Sequence, residues 1–229
     1  MDYDCASMLA RSLAVAALAA LLSSCASRPT LCARAGDCGS GRECVAGACE
    51  GDALSLTGTR RLVFTPAAIA VVERTSSAAA GAIPAVLVLG RADHPAKLLL
   101  RFDLRLDPGA TVARASILLD RSDALGSDPS ALRLHAERVI GAWNPETVSW
   151  ATAPPVEDIG SPRTVVRAGS SGLVRVDVTA LVRRWIARDR ADRGVVVVAE
   201  NEVPSSEAFT LAPTSEPPRQ PPRLEVYLR

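Results

Sequence analysis

Four cysteines crowd the stretch "CARAGDCGSGRECVAGAC": Cys32, Cys38, Cys44 and Cys49. Thiols in this arrangement can close two disulfides, in any of three connectivities, or ligate zinc. The spacing contains no Cys-x-x-Cys pair of the kind that zinc sites use. A short Gly-rich segment with few apolar residues also needs staples to fold, so disulfides are the expectation. A second cluster, "DRSDALGSDPS", gathers Asp120, Asp123 and Asp128. Loop carboxylates suit calcium, but the EF-hand spacing is absent and acidic surface loops are common, so a solvated loop is the simpler reading.

Catalytic chemistry finds little to stand on. Hydrolysis asks for paired carboxylates in a cleft, or for Ser, His and Asp within reach of one another. The two histidines stand apart: His94 in a loop before Pro95, and His135 inside "LRLHAERV". "GSSG" at Gly169–Gly172 lacks the strand-turn-helix setting of a nucleophile elbow and reads as a hairpin turn. The expectation is a chain that is not an enzyme and has no cofactor beyond the candidate calcium.

Binding chemistry has better candidates. Arg183, Arg184 and Arg188 follow one another in "VRRWIARDR". Guanidinium groups grip carboxylates with paired hydrogen bonds, so an acidic polymer is a natural ligand; the plain alternative is a solvated helix face. Trp143 and Trp150 flank an Asn-Pro turn. Trp143 could stack on a sugar ring, although packing in the core is the favoured reading for both.

The totals narrow the partners. The chain has 229 residues, is 48% apolar and carries a formal charge of +1. Near-neutrality removes the electrostatic case for nucleic acid. Aromatics at 3% argue against base stacking and broad sugar platforms. Lys97 is the only lysine, so almost all positive charge is Arg.

The address lies at the beginning. Met8-Leu9-Ala10-Arg11 opens a basic region, followed by an uncharged apolar run from Leu13 to Leu22. That run falls short of the roughly 20 apolar residues of a spanning helix and suits a signal sequence. Asp2 and Asp4 are acidic where such a leader is basic, which points to Met8 as the start. Leu22-Ser23-Ser24-Cys25 resembles the lipobox of bacterial lipoproteins. The resemblance implies cleavage before Cys25, acylation of its thiol and often of the new amino terminus, and a membrane-anchored protein of the outer membrane or cell surface. Several acyl chains make a stable anchor. The expected organisation is a leader over 1–24, a lipidated Cys-rich spacer over 25–53 and a folded domain over 54–229.

The domain reads as β. Candidate strands are Ile69–Glu73, Ala85–Leu89, Leu98–Leu106, Val112–Leu119, Leu132–Val139, Thr164–Arg167, Val174–Asp177, Val195–Ala199, Phe209–Leu211 and Leu224–Leu228. "RFDLRL" and "RLEVYL" alternate apolar and polar residues, as strands with one wet face do. Turn residues separate the strands at Asp107-Pro108-Gly109, Asn144-Pro145, Pro154-Pro155 and Asn201–Ser206. After Thr179 the period changes. Leu181, Val182, Trp185 and Ile186 form a helical stripe, with Thr179 or Asp177 as cap. The fold expected is an all-β, jelly-roll-like β-sandwich with one short helix closing an end, behind a small disulfide-stapled Cys-rich spacer.

Four motifs in order add a resemblance: "LLLRFDLRLDPGATVARASILL" (98–119), "AWNPETVSWATAPP" (142–155), "VRVDVTALVRRW" (174–185) and "PPRLEVYL" (221–228). Together they look like the DNRLRE-type domain of bacteria and archaea, related to modules of disaggregatase-like proteins. The resemblance spans roughly residues 69–229. It implies a carbohydrate-binding-module-like β-sandwich on a cell-surface protein. Its partners would be the membrane through the lipid anchor and either an acidic polysaccharide or, as a scaffold without glycan ligand, an envelope protein. The chain keeps the apolar skeleton and departs in polar loops, at Ala78–Gly81, Ala151–Ala153 and Thr210–Pro213. The resemblance therefore speaks more strongly for the fold than for an inherited sugar site.

Overall fold

The computed structural model describes residues 38, 43–45, 48–50, 58–74, 83–122, 132–166, 172–187, 192–200, 206–215 and 218–229. They belong to one compact unit, Leu31–Arg229. Two antiparallel sheets face each other. The larger is built from β4 (Ala68–Glu73), β6 (Ala96–Arg101), β8 (Leu132–Val139), β9 (Val156–Asp158), β10 (Thr164–Val166) and β12 (Val195–Glu200). Its order is β10-β8-β12-β6-β4, with β9 also on β8. The smaller sheet runs β11-β7-β16-β3, from β11 (Leu173–Asp177), β7 (Val112–Asp120), β16 (Arg223–Leu228) and β3 (Arg60–Phe64). Strands β5 (Val86–Leu89) and β13 (Glu207–Thr210) pair beside it, tied to the end of β7 by an Arg121–Phe209 bridge. The hairpin β1 (Glu43–Val45) and β2 (Ala48–Glu50) places Cys44 opposite Cys49 in register, and β1 lies alongside β11. A last short pair joins β14 (Thr214–Ser215) to β15 (Pro218–Arg219).

Alternation explains the core. Leu98 and Leu100, Val195 and Val197, and Leu132, Leu134 and Ala136 point from the larger sheet towards Ala115, Ile117 and Leu119, Val174 and Val176, and Leu224 and Val226 of the smaller. Each fully buried Leu or Val contributes about 1.5–3 kcal/mol relative to exposure. The run "VVVV" in β12 does not alternate with polar residues because both faces are covered. Val196 and Val198 join Ala70, Val72 and Leu99 on the outer face, beneath Val148, Trp143 and Trp150. The segment 142–155 is thus a lid on that face. Asn144 starts it as a turn, its carbonyl accepting from Thr147 and Val148 and its side chain from Glu146.

Helix α1 (Thr179–Ile186) buries the expected stripe, Leu181, Val182, Trp185 and Ile186, against the core. Two expectations change. The strand from Leu98 stops at Arg101, although Phe102, Leu104 and Leu106 still turn inwards. β12 meets β6 only across Leu98–Leu100, and the Ala67 amide makes the last bond to the Arg101 carbonyl, so no neighbour remains for a ladder. The strands on either side of "GSSG", of which 169–171 lie outside the described residues, form no hairpin with one another: β10 pairs with β8 and β11 with β7. Gly194 must be glycine: its φ is +105°, and a Cβ would meet the Leu100 carbonyl oxygen at 2.4 Å.

Candidate ligand-binding groove beside helix α1

Two residues fix α1 against β7. An Asp177 carboxylate oxygen accepts the Thr179 amide at 2.8 Å, satisfying one of the helix's first donors. The Thr179 hydroxyl does not cap. It accepts from the Ala115 amide at 2.9 Å and donates to the Ala115 carbonyl at 3.3 Å. One turn on, Arg183 consequently lies over the start of β7. Its Nε donates to the Val112 carbonyl at 2.9 Å and an Nη to the Ala113 carbonyl at 3.4 Å.

A groove of about 420 Å³ opens here, lined by Thr111, Ala113, Arg114, Asp177, Arg183 and Arg229 among others. Among the described residues three arginines, Arg114, Arg183 and Arg229, line it together with the Asp177 carboxylate. Among the described residues Arg183 meets carbonyl oxygens, which orient the guanidinium without neutralising it. Such a groove attracts carboxylates, sulfates or phosphates.

Of the residues singled out in the sequence, Arg183 lines the groove. Arg184 is exposed on α1 and does not line it. Arg188 lies outside the described residues. Trp143 belongs to the lid on the larger sheet. Its indole Nε1 donates to the Arg193 carbonyl at 2.7 Å, and the Arg101 guanidinium stands 5.3 Å from the ring centroid. Trp150 is flanked likewise by Arg74 at 5.0 Å and Lys97 at 5.2 Å. Both rings are partly buried on the outer face of the larger sheet rather than in the core, and their cation contacts add to the lid's hold.

The Asp120 carboxylate accepts the Gln220 amide at 2.7 Å and an Arg223 Nη at 3.4 Å. Asp123 and Asp128 lie outside the described residues. Among the described residues no group of His, Cys, Asp or Glu is arranged to hold a metal ion. Cys38 is buried and disulfide-bonded. Cys25, Cys32 and the side chains of Cys44 and Cys49 lie outside what is described. His135 is 8% exposed, its Nε2 3.4 Å from Glu137 and its Nδ1 3.7 Å from Glu200, so it is a packed histidine. His94 is exposed, 3.5 Å from Asp93.

Sequence reasoning missed Arg114, Arg229 and Asp177 as groove residues. Arg114 could be placed on a strand by alternation, but no local pattern says that this strand meets the Arg face of α1. Compared with known proteins, the chain matches no protein-family model and no curated protein. Fold and groove together describe an all-β sandwich, closed at one end by a helix that carries a basic surface.

Proposed function

We propose that this chain is a lipid-anchored, non-enzymatic surface protein whose sandwich binds an extracellular acidic polysaccharide through the groove beside α1. The observation that carries the reading is that Arg114, Arg183 and Arg229 line one groove beside α1. Repeated carboxylates along a uronic-acid polymer complement it. The lipobox-like Leu22–Cys25 supplies the anchor, acylated at Cys25. The ordered motifs between residues 98 and 228 support a surface module.

The test is binding of the detergent-solubilised chain to polygalacturonate, with a neutral glucan as control. Expected is saturable binding to the uronate alone, weakening as salt rises. Arg114→Met should weaken it several-fold, and Arg183→Met more so. Equal binding to both polymers would sink the proposal. So would no uronate binding together with co-purification of an envelope protein, which would point to a scaffold.

A further inference from the structure

A second cavity, of about 470 Å³, opens at the C-terminal turn of α1. Its apolar walls are Leu104, Leu106, Pro108, Trp185 and Ile186, and Asp192 stands at its edge. This wall is the segment past β6 that alternates without a ladder partner among the described residues. Leu104 and Leu106 turn towards the core while their backbone stays free of any ladder.

Asp192 is half-buried at the cavity lining. One carboxylate oxygen accepts the Gly194 amide at 3.0 Å. Among the described residues no donor reaches the other oxygen, Oδ2, and no cation pairs with the group. Burial pushes the carboxyl up to about 6 against the Gly194 hydrogen bond and the more distant Arg101 charge, which pull it down. Asp103 adds to the rise. Among the described residues the charged groups around it have partners: Arg101 lies over Trp143, and Arg105 bonds Asp103 at 3.1 Å. Arg188, Asp189 and Arg190, which precede it in the chain, lie outside the described residues. Asp107 brings a second acid to the cavity lining, where Arg105 is the one cation among the described residues. The Trp185 ring, 7% exposed, forms part of the wall, and its buried Nε1 has no hydrogen-bond partner among the described residues.

We propose that this cavity binds a small aliphatic primary amine. Its ammonium pairs with the Asp192 carboxylate, and its alkyl stem packs on Trp185, Leu104 and Leu106. An opposite charge restores what burial takes from the carboxylate, and the aromatic wall favours a cation over a neutral head. The cavity volume lies within the range of small-molecule sites. The proposal does not depend on the basic groove, which is lined by different residues.

The test is titration of the full chain with n-butylammonium, followed by calorimetry and by tryptophan fluorescence, with n-butanol as control. Expected is saturable binding in about the millimolar range for so small a ligand. Affinity should fall about tenfold from pH 7.5 to pH 5, because the carboxylate protonates around pH 6. Asp192→Asn, which keeps an acceptor for the Gly194 amide, should lose binding at least tenfold with an unchanged circular dichroism spectrum. Equal binding of n-butanol, a pH-independent affinity or no saturable binding by the parent chain would each overturn the proposal.

Discussion

Arg175 and Glu225 reach across β7 to one another on the face of the smaller sheet that points away from the core, with Nε 3.1 Å from Oε2. The other carboxylate oxygen accepts from Arg61 of β3, so strands on both sides hold one acid. Glu225 is 1% exposed, and Ser116 and Leu118 beside it are as deeply covered. The middle of this face is therefore covered, and there Glu225 is held by Arg175 and Arg61, although Val63 at the β3 edge is exposed.

Removing one member of a buried ion pair leaves the other charge stranded. Glu225→Gln should cost about 3 kcal/mol in urea unfolding at pH 7. Burial raises the Glu225 carboxyl, but the Arg61 hydrogen bond and the Arg175 charge outweigh it and hold it below its usual range. A depressed acid stabilises the fold above its unfolded pKa of about 4.3, and that contribution fades as pH falls through the folded value. The acid limb of the parent's stability curve should flatten in the variant. A loss below 1 kcal/mol would show that the pair contributes little.

Asp192 should behave with the opposite sign. Its folded carboxyl, near 6, lies above the ordinary 3.8, so keeping it charged opposes folding. Stability from this group is fully present below pH 3.8 and is lost as pH rises through about 6. Asp192→Asn should raise stability at pH 7.5 by on the order of 1 kcal/mol, after discounting for partial solvent screening. Near pH 4 the gain should vanish. Urea melts at the two pH values decide it, and a variant less stable at pH 7.5 would contradict the sign. An acid retained at a cost to stability is what a binding residue looks like.

Thr179 joins the groove to the fold. Thr179→Val removes the hydroxyl from both backbone groups of Ala115 and should cost about 1–3 kcal/mol. It should also weaken uronate binding with no change of charge, because Arg183 depends on how α1 seats on β7. Unaltered binding in a destabilised variant would separate the two roles.

The proposed anchor at Cys25 has its own measurement. Cys25→Ser should move the protein from the membrane fraction to the soluble fraction, with loss of incorporated labelled fatty acid. Retention in membranes would refute the lipobox reading.

Much of the fold was legible because its signals are local. Helix α1 announced itself in the spacing of Leu181, Val182, Trp185 and Ile186, and all of them are buried. The alternation in "RLEVYL" placed Leu224, Val226 and Leu228 inwards, as found. Where signals were not local, reading failed. "RRLVF" opens with a pair of arginines and went unread, yet it becomes β3 because β16 offers it an edge. "RFDLRL" alternates perfectly well and is still no strand past Arg101, because pairing needs a neighbour that composition cannot supply. The groove depended in the same way on Arg114 and Arg183, brought together only by the sandwich.

The placing of β16 has a consequence for how the protein is made. It stands between β7 and β3, and its Glu225 meets Arg61 across 164 positions of sequence. Without it the smaller sheet is two separate pieces and half the core lacks a wall. A chain still being synthesised holds β3 and β7 long before the strand that joins them. Contacts this far apart fold late and slowly. An emerging polypeptide therefore keeps this sheet open until β16 has been made.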